Sequence, residues 1–148
     1  MNIYFSCSIT GGRADQPIYA AIVAHLRAQG HSVPTAALAD AGILTDEATI
    51  APSVVYARDV AWVNGADALI AEVSTPSHGV GYEIALALGR GLPVLCLHRA
   101  GAPVSKMLTG NSEPGLRLGV YTSAAEALAM VSAFVAGEAL GRRARAGK

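Results

Sequence analysis

Charge is scarce in this chain. Asp, Glu, Lys and Arg make up 15% of its 148 residues, and eleven basic residues offset eleven acidic ones. A formal net charge of zero provides no basic field for nucleic acid or for a membrane surface. Cysteine is nearly absent. Cys7 and Cys96 both fall in apolar runs and read as small buried hydrophobes, not as a disulfide or a metal pair. No apolar run approaches the length that crosses a bilayer. Met1-Asn2-Ile3 leads straight into a strand pattern with no basic segment ahead of a secretory core, so the expected location is cytoplasmic. Several chemical signatures are missing as well. There is no Gly-Lys-Ser/Thr phosphate loop, no Gly-x-Gly-x-x-Gly fingerprint and no Gly-x-Ser-x-Gly elbow. His25, His31, His78 and His98 lack the spacing and cysteine partners of a zinc site, and no cofactor is implied.

What the chain has in quantity is apolar surface, with 52% of residues hydrophobic. That length and composition suit one domain with a substantial core, expected over residues 1–140, followed by a basic, fraying tail at 141–148. Apolar runs alternate with helical patterns, the signature of a parallel sheet wrapped by helices. Strands are expected at 3–7, 32–33 (short and weak), 68–73, 93–97 and 117–121. Helices are expected at 17–29, 54–65, 79–90 and 124–140, with a helical turn at 104–108, while 36–50 resists assignment. The fold class is α/β, a flavodoxin-like doubly wound five-stranded parallel sheet with helices on both faces.

The most informative stretch is Ser77-His78-Gly79-Val80-Gly81-Tyr82-Glu83. It lies where the strand at 68–73 ends and the next helix begins. In an open α/β sheet ligands bind there, because backbone N–H groups point outward and favour anions. Ser6-Cys7-Ser8-Ile9-Thr10-Gly11-Gly12-Arg13 comes after the first strand on the same sheet edge, and Ser105 after the fourth. Hydroxyls, glycines and a guanidinium are phosphate-binding groups. A single Gly-Gly pair would be an ordinary turn, but two Gly/Ser loops on one edge favour a ligand.

Two carboxylates stand near this edge. Glu83 sits just inside its helix, where it could simply favour the helix N-terminus. Asp59 precedes Trp62 on an otherwise apolar helix and is expected to point inward, while Arg58, its immediate neighbour, is not expected to face it. Two carboxylates over a sugar suit glycosidic cleavage, one attacking the anomeric carbon or stabilising an oxocarbenium ion, the other handling protons or orienting the sugar. Tyr4 competes with a purely structural role as a core aromatic whose hydroxyl is bonded.

Ile3 to Arg13, Arg58-Asp59-Val60-Ala61-Trp62 and Ala71 to Glu83 together resemble the 2′-deoxynucleoside 5′-phosphate N-hydrolases of the Rcl type, in the nucleoside 2-deoxyribosyltransferase superfamily. Leu95-Cys96-Leu97 and Val104 to Gly110 continue the resemblance, which leaves out residues 33–53 and the tail. It implies hydrolysis of a deoxynucleoside monophosphate to free base and 2-deoxyribose 5-phosphate. Glu83 then matches a nucleophile at C1′, Asp59 a sugar-contacting proton-transfer residue, and Tyr4 an active-site tyrosine. Ser8, Gly12, Ser77 and Gly79 match phosphate- and sugar-side contacts, and Ile9, Thr10, Gly11, Arg13, His78 and Met107 are expected on the substrate side with them. Ser105 matches a serine that reaches the neighbouring subunit's phosphate site, so a homodimer is implied. Thr10 stands where many relatives carry arginine, and His78 where they often carry an apolar residue. Arg13 or Lys106 would compensate for the charge absent at Thr10. Two rival readings are a deoxyribosyltransferase that passes the sugar to a second base, and a nucleotide-binding module without catalysis.

Overall fold

The structure is a computed structural model that describes residues 1–12, 14–39 and 49–146. Arg13 and residues 40–48 lie outside the described residues.

Strand β1 (Ile3–Ser6) and strand β2 (Ala68–Glu72) are buried along their whole length. Such continuous burial is expected of parallel strands covered on both faces. Strand β3 (Val94–Arg99) and strand β4 (Leu116–Tyr121) complete a four-stranded sheet in the order β1-β2-β3-β4, every pairing parallel. Ile3 pairs with Ala68, Leu69 with Val94 and Val94 with Leu116.

Among the described residues the sheet has four strands, not five. The strand expected at residues 32–33 is a single bridge from Ser32 to Asn2, on the outer side of β1. Pro34 comes directly after it; with no N–H to donate, it ends the ladder. The bridge is closed by Ser32 O accepting from the N–H of Ile3 at 2.8 Å, and in place of further pairing the Thr35 hydroxyl accepts from the backbone N–H of Phe5 at 3.0 Å.

Helices cover both faces. Helix α1 (Gln16–Ala28) buries Tyr19, Ile22, Val23 and Leu26, a spacing that puts them on one stripe. Gly30 ends it with φ +80°, a left-handed stop open to glycine. The closing helix α5 (Ala124–Ala146) buries Ala127, Val131, Phe134 and Val135 beside α1. It runs beyond the end expected at residue 140. These two helices pack with Ile3, Phe5, Ala68 and Ile70 in one core. Helix α2 (Pro52–Asn64) and helix α3 (His78–Gly89) cover the opposite face, where Val63, Val80, Ile84 and Ala87 pack on Tyr4, Leu69 and Ala71. Each fully buried side chain of this kind contributes about 1.5–3 kcal/mol. A short helix, α4 (Lys106–Thr109), links β3 to β4.

Side chains alternate along β1, and this sorts its residues between the two faces. Ile3 and Phe5 face α1 and α5, so Tyr4 and Ser6 face α2 and α3.

Candidate active site

Glu83 sits in the second turn of α3 and leans toward β1. Its Oε1 accepts from the Tyr4 hydroxyl at 2.8 Å, and its Oε2 accepts from the Ser6 hydroxyl at 2.5 Å. Tyr4 is fully buried and Ser6 is 1% exposed, so both donors are held by the core. The carboxylate is thus gripped on both oxygens by residues two apart on one strand. Burial pushes the Glu83 carboxyl above the ordinary carboxylate range, and nearby Asp59 adds to this. The hydrogen bonds from Ser6 and Tyr4, and the charge of Arg58, oppose it. Burial and the neighbouring Glu83 push the Tyr4 phenol far above its usual range, so it stays protonated and donates at any working pH.

Asp59 comes from α2 and is mostly buried, as expected. Arg58 does face it, contrary to expectation: Arg58 Nε donates to Asp59 Oδ1 at 2.8 Å. Adjacent residues on a helix normally diverge. Here the guanidinium carbon lies 4.9 Å from the centroid of the Trp62 ring, one turn later, and this folds the side chain back.

A second group of expected residues gathers on the other flank of α3. Thr10, Gly11, Ser77, His78, Ser105 and Met107 line a cavity of about 670 Å³, with Val80, Ile84 and Leu108 supplying apolar wall. Tyr4, Glu83 and Asp59 are not among its lining residues. The N-terminal turn of α3 therefore separates a carboxylate side from a roomy Gly/Ser side. Among the described residues, His78 is the only one lining the cavity that can carry a charge.

Individual residues have local duties too. Ser77 caps α3, its hydroxyl accepting from the N–H of Val80 at 3.5 Å. Ser105 caps α4, accepting from the N–H of Met107 at 3.2 Å. Ser105 shares the cavity with Thr10 and Ser77 of its own chain, and Met107 is 82% exposed. Ser8 is fully buried beneath the first loop, whereas Ile9 is only partly covered. Gly12 takes φ +131°, and Gly79 lies in the first turn of α3. Gly11 is required by close approach: a Cβ there would sit 2.4 Å from the Pro76 carbonyl and 2.8 Å from Ser8 Oγ. The first loop and the 73–77 loop touch backbone to backbone at this point.

The sequence reading placed Ser6 in the first loop segment and Arg58 beside Asp59, but missed that Ser6 bonds Glu83 and Arg58 bonds Asp59. Ser6 carried a findable signal, since it lies two residues from Tyr4 on a strand and must share its face. Cys96 is buried and its thiol is pushed up to about 12, so it stays an inert thiol at neutral pH.

The model of the nucleoside 2-deoxyribosyltransferase family matches residues 3–130. A mouse (Mus musculus) protein named 5-hydroxymethyl-dUMP N-hydrolase is 42% identical over 129 residues, 84% of this chain and 73% of its own length. The zebrafish (Danio rerio) protein of the same name is 39% identical over 114 residues, covering 76% of this chain and 80% of its own. Among solved structures, the CMP N-glycosidase BcmB of Clostridium botulinum superposes with a TM-score of 0.68 over 89% of this chain and 98% of that one. At 16% identity that likeness is one of fold.

Proposed function

The chain belongs to the nucleoside 2-deoxyribosyltransferase family, and we propose that it hydrolyses the N-glycosidic bond of 2′-deoxynucleoside 5′-monophosphates. The reaction class, cleavage of a nucleotide N-glycosidic bond, is that of the relatives named as nucleotide N-hydrolases. The observation that carries it here is Glu83, held on both oxygens by Tyr4 and Ser6 with a second carboxylate nearby.

In this reading a Glu83 oxygen attacks C1′ of the sugar. The C1′–N bond breaks, its electron pair leaves with the base, and the base takes up a proton. Water then attacks C1′, releasing Glu83 as the carboxylate and leaving a hydroxyl on the sugar. Tyr4 and Ser6 fix the orientation of attack, which is where much of the advantage of a positioned nucleophile arises. Asp59 contacts the sugar and moves the proton. Ser8, Ile9, Thr10, Gly11, Gly12, Ser77, His78, Gly79 and Met107 form the substrate side, and the phosphate binds at the N-terminal turn of α3. Arg13 belongs to the same proposal on sequence alone.

The working unit is proposed to be a homodimer. Val54, Tyr56, Tyr82 and Met107 are all more than half exposed and leave large apolar side chains bare on α2, α3 and α4. In a two-fold dimer Ser105 would be carried to the partner's phosphate. No described helix is long and apolar enough to cross a membrane, and a cytoplasmic setting is part of the proposal.

The test is a panel of nucleoside 5′-monophosphates, 5-hydroxymethyl-dUMP included, assayed for free base and sugar phosphate with and without an acceptor base. Hydrolysis without acceptor supports the reading, and Glu83→Gln should abolish it by several orders of magnitude while the fold is kept. Product only in the presence of acceptor would make the protein a transferase. No product, with nucleotide bound equally by wild type and Glu83→Gln, would leave a binding module.

A further inference from the structure

Among the described residues, Arg58 is the one cation set against the two carboxylates. Its Nε is committed to Asp59 Oδ1 at 2.8 Å, and its guanidinium carbon stands 4.9 Å from the Trp62 ring centroid. Side-chain exposure is 23% for Arg58 and 18% for Asp59, so water screens the pair only in part. The ring below and the carboxylate beside it fix a planar, delocalised cation in one orientation, which an ammonium on a flexible stem would not reproduce. One Asp59 oxygen is thereby occupied, and the other is the one that can meet a substrate hydroxyl or proton.

Resting on the reaction proposed above, we propose that Arg58 is a positioning residue: clamped between Trp62 and Asp59, it sets the orientation of the Asp59 carboxylate and keeps a positive charge beside the attacking Glu83. A second acid beside Glu83 disfavours the ionised form that attack requires, and a cation beside the pair opposes that effect. Among the described residues, the groups that face Glu83 are Tyr4 and Ser6 from β1 and Asp59 and Arg58 from α2. Arg58 is the only positive charge in that set, and its effect on both Glu83 and Tyr4 is to favour their ionised forms. The neighbouring Tyr82 hydroxyl lies 3.5 Å from that of Tyr56.

Three forms of the full chain separate this role from a packing role: wild type, Arg58→Lys and Arg58→Met. Their kcat/KM for 5-hydroxymethyl-dUMP and the ordinary deoxynucleoside monophosphates is measured from pH 5 to 9. Arg58→Met should lose about tenfold more activity at the acid end than at the alkaline end, because without the cation Glu83 holds its proton to higher pH. Arg58→Lys keeps the charge and loses the fork. Its pH profile should keep the wild-type shape, with kcat lowered at every pH. Melting temperatures confirm folding, and Arg58→Gln replaces Arg58→Met if the latter is unfolded. The second readout needs no turnover. In protein labelled with carboxyl-¹³C glutamate, the Glu83 resonance, identified by its loss in Glu83→Gln, should titrate at higher pH in Arg58→Met than in wild type. If none of these nucleotides is hydrolysed, the proposed reaction fails while this titration still decides the role of Arg58. A Glu83 titration and an activity profile in Arg58→Met that run parallel to wild type throughout would overturn the proposal.

Discussion

Ser6→Ala removes one hydroxyl and tests the whole arrangement around Glu83. That hydroxyl donates to Oε2 at 2.5 Å from a residue 1% exposed. A hydrogen bond to a charged partner contributes roughly 1.5–3 kcal/mol. Most of the loss falls on the ionised carboxylate, since a protonated carboxyl has less need of donors. Burial sets the sign of the pH dependence. Glu83 is held above its ordinary range in the folded protein. The stability linked to it is therefore present below the unfolded pKa and is lost as pH rises through the folded one. Deleting the Ser6 donor raises the folded pKa further and enlarges that loss. The variant should melt close to wild type at pH 4 and fall behind as pH approaches 7.5. At the neutral end the deficit should reach roughly 1.5–3 kcal/mol, which for a chain of this size is roughly 4–10 °C in Tm. The acid limb of kcat/KM should move to higher pH in parallel. Calorimetry or circular dichroism melts at five or six pH values suffice. A Tm gap of constant size from pH 4 to 8 would refute the reasoning, because it would mean that Ser6 contributes packing and does not hold the ionised Glu83.

Gly11→Ala drives a Cβ into the Pro76 carbonyl and Ser8 Oγ; it should lower stability by roughly 1–3 kcal/mol, as overpacking does, and raise KM for the monophosphate. An unchanged KM would remove this loop from the binding site. The unphosphorylated deoxynucleoside should be turned over far more slowly than its 5′-monophosphate, because remote binding energy places C1′ over Glu83; equal kcat/KM values would show that the phosphate is not read. A mixed dimer of one Ser105→Ala subunit and one Glu83→Gln subunit should keep about half the wild-type rate, since two-fold symmetry puts both lesions into one site. Half the rate of the Ser105→Ala homodimer instead would mean that the serine serves its own chain, beside Thr10 and Ser77.

The buried strands were legible because parallel strands covered on both faces read as unbroken apolar runs. Ala68–Glu72 stood out for that reason, and with it the Gly/Ser turn that leads to Glu83. The missing fifth strand was a matter of one residue. Ser32-Val33 has strand-like chemistry, but Pro34 removes the next donor, and the apolar pattern does not register a missing N–H. Tyr4, Asp59 and Glu83 were legible as chemistry, and the fold brings Tyr4 and Glu83 into contact. Ser6 was hidden inside an apolar strand, where a lone serine looks like an accident of packing. Arg58 was hidden by the rule that neighbours on a helix point apart, which holds until a tryptophan one turn on offers a flat surface. The cavity on the far flank of α3 could not be read at all. Which side of a helix is hollow depends on how the 103–111 segment drapes over it, and no local pattern records that.

The Thr35 hydroxyl on the Phe5 N–H has a consequence beyond holding one loop. β1 is the outermost full strand on its side, and it carries Tyr4 and Ser6 within four residues. A bare strand of that kind is a template on which a second chain can add itself by backbone pairing. Here the donor at its centre is stoppered by a side chain that cannot pass the ladder on. With the Ile3 N–H spent on Ser32 O as well, the strand that presents the reacting groups offers neither of these two outward donors to an incoming chain.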